Sequence, residues 1–185
     1  MTRCSWLLRQ GLPVADILYV TPEGAPEVFT PPASALVYNS EFPDRREYNF
    51  DGCSPENLMK NATVHNGRIV FPDGMSYRVA VLPEWNTMTP DLLRKVIVLV
   101  RAGAVVQGTP PVKSPSLVGY PKCDDEVRDL TATLWGDAPY QHERKLGLGR
   151  VVYAGLSTGL SVDDSSWIWY DEGEPQNSAP AGRRW

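Results

Sequence analysis

The chain has 185 residues, of which 42% are hydrophobic and 22% charged, a balance typical of a folded domain, alone or with a tail, and not of a disordered protein. Its net charge of −4 gives no sign of the basic face that nucleic acid requires, and no apolar run reaches the roughly 20 residues that cross a membrane. The 17 prolines and 15 glycines indicate many turns and argue against an all-helical bundle.

The first half of the chain predicts short elements separated by polar turns. Gly11 is placed to end a helix, Ser54 to cap one that starts with proline, and Asn66 with Gly67 to form a type I′ hairpin turn. The predicted elements are, in order, a helix end at 4–10, a strand at 15–20, a short strand at 35–38, a helix at 54–60 and a hairpin at 63–70.

The second half predicts helices that alternate with apolar strands. Thr89 is a helix cap followed by proline, and Gly103 ends the same helix after a wide apolar face. Further strands are predicted at 77–82, 104–108 and 149–155, and a further helix at 124–135. This alternation predicts an open, mostly parallel α/β sheet with helices on both faces, whose parallel strands include residues 17–20, 79–82, 104–107 and 151–153.

The cysteines and histidines argue against a disulfide framework and against a metal site. Cys4, Cys53 and Cys123 are odd in number and widely spaced, and His65 and His142 lie far apart. We therefore expect three reduced thiols, buried or half-buried, and no metal or other cofactor. Cys53 comes just before a helix start, which would lower its pKa, but a structural role is the favoured interpretation.

Two loops carry the candidate site residues. The first, residues 47–53, is dense in the polar and aromatic groups that suit sugar binding, and it holds Glu47, Tyr48 and Asp51. The second follows a predicted strand end, where ligands sit in open α/β sheets, and it holds Glu84 and Trp85. We take the two carboxylates Asp51 and Glu84 as candidate acid and base, and the other three as candidate sugar contacts. The structural alternative is a surface turn that caps the next helix.

The sequence contains neither a nucleotide-binding motif nor the nucleophile motif of a serine hydrolase. No Gly-rich phosphate loop follows a strand, and no Gly-x-Ser-x-Gly elbow occurs.

Trp167 and Trp169 flank Ile168 and point to one side of a predicted strand at 165–170. That pair suits a carbohydrate platform and a domain-interface patch equally well.

Three segments, residues 6–19, 48–53 and 66–83, resemble the large bacterial α-L-rhamnosidases of glycoside hydrolase family one hundred and six. The resemblance runs from about Trp6 to Gly155 and falls in the part that follows their catalytic barrel. It implies a flavodoxin-like or class I glutamine-amidotransferase-like domain at 1–160, similar also to the trimerisation domain of some β-galactosidases. Residues 161–185 look like the opening of a truncated β-sandwich, so we expect both ends to be cuts. The barrel, with its acid and base carboxylates and calcium site, is absent from this sequence, so none of those residues carries over.

Three functional hypotheses remain open at this point. The first is a domain derived from a glycoside hydrolase that acts on, or supports action on, plant or microbial glycans containing rhamnose. The second is a small self-contained hydrolase that uses Asp51 and Glu84. The third is a non-catalytic carbohydrate-binding or oligomerisation module. Carbohydrate is the expected partner, nucleic acid and membrane are not, homo-oligomerisation is left open, and a periplasmic or secreted parent enzyme is one expectation for location.

Overall fold

The structure is a computed structural model that describes Cys4, Trp6 and residues 11–24, 49–138 and 142–153. Cys4 and Trp6 are helical, and Gly11 has the positive φ of 89° expected of a residue that ends a helix. The other helices and strands, within the described part of the chain, are β1 Ile17–Val20, β2 Phe50–Cys53, α1 Pro55–Asn61, β3 Thr63–His65, β4 Arg68–Val70, β5 Ser76–Tyr77, β6 Val79–Val81, α2 Pro90–Arg101, β7 Val105–Gly108, α3 Lys122–Trp135, β8 Glu143–Leu146 and β9 Gly149–Tyr153.

The main sheet has six strands in the order β2-β1-β6-β7-β9-β8. The first five are mutually parallel and only β8 is antiparallel, so the predicted parallel set is confirmed. Leu18 is aligned with Asp51 of β2 on one side and with Ala80 of β6 on the other, which fixes the register at the centre. The fold is therefore a mixed α/β structure with a mostly parallel sheet, as expected.

Helices α1, α2 and α3 lie on one face of this sheet. The connections from β6 to β7 and from β7 to β9 step in the same direction, so right-handed crossovers put α2 and α3 on the same side. Helix α1 contacts α2, and α2 contacts α3. Residues 25–48, which connect β1 to β2, lie outside the described residues, so helices on the second face stay a prediction.

The helix-covered face of the sheet contributes most of the core. Six apolar residues of α2 are buried against it, and burial of a leucine side chain contributes about 1.5–3 kcal/mol. Close packing of α2 on β9 depends on Gly149, where a Cβ atom would lie 2.3 Å from the carbonyl oxygens of Val100 and Ala104. The fully buried residues of this face and of its helices include Leu18, Leu58, Leu92, Leu93, Val96, Val100, Val106 and Leu134.

A second, three-stranded antiparallel sheet, β3-β4-β5, packs beside the first. Its hairpin turn has φ values of 51° at Asn66 and 74° at Gly67, which confirms the predicted type I′ turn. The carboxylate of Asp16, just before β1, lies 3.2 Å from the Arg78 guanidinium and 3.8 Å from that of Arg68. These ion pairs tie the hairpin to the start of the main sheet.

The structure corrects four expectations. The predicted strand at 77–82 is two strands, because the Arg78 amide turns to donate to the Asp16 carbonyl and divides β5 from β6. Residues 50–53 form a strand instead of a loop, and β8 was not expected, since its residues Glu-Arg-Lys-Leu carry the charges of an exposed edge. Cys4 is exposed and not buried, while Cys53 and Cys123 are buried as expected.

Several predicted elements are confirmed within one or two residues. Helices α1 and α2 begin at their predicted proline, and α3 begins at Lys122, two residues before its expected start. The predicted strands at 35–38 and 165–170 lie outside the described residues.

Candidate functional site

The carboxyl ends of the parallel strands bring three loops to one edge of the sheet. They are residues 21–24 after β1, residues 82–89 after β6 and residues 109–121 after β7. The strand order reverses between β1 and β6, because β2 flanks β1 on one side and the rest of the sheet extends on the other. In open α/β sheets ligands bind outside this edge, beside the reversal.

Glu84 and Trp85 are exposed in the loop between β6 and α2 at this edge. Trp85 presents 44% of its surface to solvent. The loop itself is anchored on its far side, where the Val112 amide donates to the Asn86 carbonyl at 2.9 Å and the Met88 amide to the Lys113 carbonyl at 3.1 Å. Trp85 therefore projects from a segment that the neighbouring β7–α3 loop holds in place.

The carboxylate of Glu23 links the loop after β1 to the start of α2. One oxygen accepts from the Thr89 amide at 2.6 Å and the other from the Thr89 hydroxyl at 2.5 Å. The hydroxyl in turn accepts from the Leu92 amide at 3.4 Å, the expected cap. The negative charge thus lies at the positive end of the helix dipole and bridges the two strands that flank the reversal. Sequence reasoning missed Glu23, because no local pattern relates two residues that are 66 positions apart.

Asp51 lies in the middle of β2, where its carboxylate accepts a hydrogen bond from the Tyr77 hydroxyl at 3.0 Å. Tyr77 is buried, with Phe71 edge-on to its ring at 5.8 Å between centroids. Burial, then the hydrogen bond and the charge of Asp51, raise the pKa of Tyr77 well above its ordinary value. The phenol therefore stays protonated, and Asp51 holds the small sheet against β2.

The strand register separates the backbone positions of Asp51 and Glu84. Asp51 and Ala80 are aligned on either side of Leu18, two strand spacings or about 10 Å apart. Glu84 is four residues further along the chain, so the two Cα atoms lie on the order of 15 Å apart. Catalytic carboxyl pairs of glycosidases are separated by about 5–9.5 Å. The acid and base roles of Asp51 and Glu84 stay a prediction that this spacing does not favour.

Glu47 and Tyr48, the other candidate sugar contacts, lie outside the described residues. Asn49, which follows them, precedes β2, and its carbonyl accepts from the Asp16 amide at 2.9 Å. Asn49 is thus at the amino edge of the sheet, whereas Trp85 is at the carboxyl edge. Among the described residues, the start of the first predicted loop and the second predicted loop therefore lie at opposite edges of the sheet.

Cys53 has the surroundings of a structural thiol. It is buried, and burial raises its pKa, although side-chain and backbone hydrogen bonds from the start of α1 oppose the shift. The thiol donates to the Ser54 carbonyl at 3.3 Å.

Within the described ranges, no three residues among His, Cys, Asp and Glu are grouped to hold a metal ion. In the same part of the chain, no helix has the length and apolar character to span a membrane.

Comparisons with known proteins identify relatives of this chain. Residues 1–164 match the family model described as alpha-L-rhamnosidase. A putative beta-glucuronidase of Formosa agariphila is 38% identical over 138 residues, which cover 74% of this chain and 11% of that protein. An alpha-L-rhamnosidase of Streptomyces avermitilis is 59% identical over 32 residues, 17% of this chain and 3% of that protein.

A solved structure shares the fold. The rhamnosidase of Novosphingobium sp. PP1Y aligns with a TM-score of 0.68 and 27% identity, over 94% of this chain and 15% of that one. The chain thus spans between a tenth and a sixth of the length of the relatives that it matches over most of its own length.

Proposed function

Because the chain belongs to the α-L-rhamnosidase family, a family of glycoside hydrolases, we propose that it is a supporting domain of an enzyme that hydrolyses rhamnose-containing glycans. In this role it contributes a sugar-contacting edge, while the bond-breaking carboxylates come from another part of a longer enzyme. The observation that carries the proposal is the family match over residues 1–164 combined with the anchored, exposed Trp85 at the carboxyl edge.

The chemistry of the β6–α2 loop supports a sugar contact. An exposed indole ring offers a flat apolar surface to the C–H face of a pyranose. The flanking carboxylate of Glu84 and the amide of Asn86 are both exposed and can hydrogen-bond hydroxyl groups. A binding site of this kind needs one aromatic platform and a few polar groups that fix orientation, which this loop provides.

A supporting role agrees better with the geometry than a self-contained hydrolase does. Asp51 is engaged by Tyr77, and a Cα spacing from Glu84 on the order of 15 Å does not favour a catalytic pair. The parallel strands run in the order 2-1-3-4-5 when numbered along the chain, which supports a flavodoxin-like or amidotransferase-like domain at 1–160. In this proposal residues 161–185 are a tail that forms the start of a truncated β-sandwich domain.

Sugar binding and hydrolysis separate the hypotheses. We expect no release of aryl alcohol from an aryl α-L-rhamnoside, and weak binding of L-rhamnose by calorimetry that Trp85→Ala abolishes. Trp6→Ala, which removes an exposed tryptophan elsewhere, is the matched control and should bind as the parent chain does. Hydrolysis would establish the self-contained enzyme instead, and binding that survives Trp85→Ala would remove the β6–α2 loop from the site.

A glucuronide competitor tests the sugar class. The relative from Formosa agariphila is described as a putative beta-glucuronidase, which makes glucuronic acid the second candidate ligand. We expect L-rhamnose to bind more tightly than D-glucuronic acid, because the exposed Glu84 repels a second carboxylate. Tighter binding of glucuronic acid would overturn the rhamnose assignment while leaving Trp85 in place.

A further inference from the structure

The β6–α2 loop, residues 82–88, is attached to the strands on both sides of β6. On the β7 side its backbone bonds to β7 and to the loop that follows, beginning with the Leu82 amide, which donates to the Gln107 carbonyl at 2.8 Å. On the β1 side the attachment comes from Glu23, whose carboxylate accepts from the amide and the hydroxyl of Thr89 at 2.6 and 2.5 Å. The loop is therefore held across the strand reversal.

Helix α2 has a complete local start signal without this carboxylate. Thr89 caps the helix, and a proline and an acidic residue follow it. At α1 the same signal, with the Ser54 hydroxyl accepting from the Asn57 amide at 3.3 Å, starts a helix directly after β2. A carboxylate from another strand joins the cap at the junction where a loop separates strand from helix. Glu23 is thus associated with the loop more than with the helix start.

The two hydrogen bonds of Glu23 are strong enough to fix the end of the loop. Their acceptor is a charged carboxylate, and such bonds are roughly twice as strong as bonds between neutral groups. Glu23 is half-buried, and its charge lies at the positive end of the α2 dipole. Both of its oxygens are bonded to Thr89, so any effect of Glu23 on a ligand passes through the loop.

We propose that Glu23 is a positioning residue of the sugar-contacting edge: it fixes the β6–α2 loop at the strand reversal, so that the Trp85 ring holds one orientation in the free protein. This inference rests on the proposed function of that loop. A loop that is ordered before binding spares the complex the entropy cost of ordering it. Without Glu23 the loop stays attached on the β7 side but takes other orientations, and the affinity falls with the fraction of molecules that keep the competent one.

The indole N–H signal of Trp85 in the nitrogen–proton NMR spectrum of the full chain tests this role. The signal is identified by its absence from Trp85→Ala, and in the parent chain it should shift as L-rhamnose is added. In Glu23→Ala we expect the signal to move or broaden before any sugar is added, and half-saturation to need about tenfold more L-rhamnose. Glu23→Gln keeps one acceptor oxygen for Thr89 and should lie between the two.

Ser54→Ala is the matched control, because it removes the cap of the other helix and leaves the β6–α2 loop untouched. Its Trp85 signal and its half-saturation should equal those of the parent chain. A displacement in Ser54→Ala as large as that in Glu23→Ala would show that the signal follows overall stability, and it would overturn the positioning role.

The failure of this inference and the failure of the proposed function give different results. An unchanged Trp85 signal in Glu23→Ala, or half-saturation within about twofold of the parent value, would overturn the role of Glu23 and leave the sugar contact of the parent chain in place. A parent chain whose Trp85 signal does not respond to L-rhamnose would overturn the proposed function, and the positioning role with it.

Discussion

Two strand-to-helix junctions at the carboxyl edge use the same capping chemistry but differ in what they present to solvent. Residues 54–56 and residues 89–91 each supply a hydroxyl cap, a proline and an acidic residue to their helix. At the first junction the cap follows β2 directly. At the second, residues 82–88 intervene, and the carboxylate of Glu23 joins the cap from another strand. Local capping therefore fixes where a helix begins, whereas the inserted loop determines what the junction exposes to solvent.

The largest expected effect concerns the helix that each junction starts. Leu58 in α1 and Leu92 in α2 are both fully buried, so Leu58→Ala and Leu92→Ala should each lower the free energy of unfolding by about 2–5 kcal/mol. Urea unfolding followed by circular dichroism measures the loss. Leu148→Ala removes an exposed side chain and should change stability by less than about 0.5 kcal/mol. A cost near that of Leu148→Ala at either buried position would show that its helix does not belong to the common core.

The next largest effect is the difference in stability cost between removing the Ser54 cap and removing the Thr89 cap. Ser54→Ala should cost about 1 kcal/mol, the usual loss of a hydroxyl cap. Thr89→Ala should cost more, about 2 kcal/mol, because it also removes a donor to the carboxylate of Glu23. Glu23→Gln combined with Thr89→Ala forms a double-mutant cycle that measures their coupling. Additive costs in that cycle would show that the link across the strand reversal contributes nothing beyond the cap.

The same two junctions show which parts of the structure could be predicted from the sequence. Both helix starts were predictable, because a cap followed by proline is a local signal, and the parallel strands followed from apolar runs between helices. Strand β2 was not, because Asp51 and Gly52 give it the composition of a loop and only its pairing with β1 makes it a strand. The contacts at the candidate site could not be predicted for the same reason. Proximity of Asp51 to Tyr77 and of Glu23 to Thr89 depends on tertiary register, which no local pattern encodes.

Tyr77→Phe tests whether Asp51 is structural. The pKa of Tyr77 is raised in the folded state, so its contribution to stability is fully present below the unfolded pKa of about 10 and is lost as the pH rises towards the folded value. At pH 8 the variant should be less stable by about 1 kcal/mol, the worth of one hydrogen bond. Between pH 10 and 11 the parent chain should lose up to about 1.4 kcal/mol that the variant retains. Urea midpoints at pH 8, 10 and 11 measure both effects, and parallel pH profiles for the two proteins would contradict the assignment.

The smallest expected effect is that of Glu84→Gln, which tests the role of the loop at residues 82–88. Glu84 is exposed, and the cap of α2 is Thr89, so Glu84→Gln should change the free energy of unfolding by less than about 0.5 kcal/mol. A surface turn that stabilises the next helix through this carboxylate would instead lose a charge favourable to the helix dipole, about 0.3–1 kcal/mol, and more at low salt. Urea unfolding at two ionic strengths decides through the salt dependence: a loss that grows at low salt indicates the structural role, and a change that is equal at both ionic strengths contradicts it. Unchanged stability together with weakened L-rhamnose binding in the same variant supports a ligand contact for Glu84.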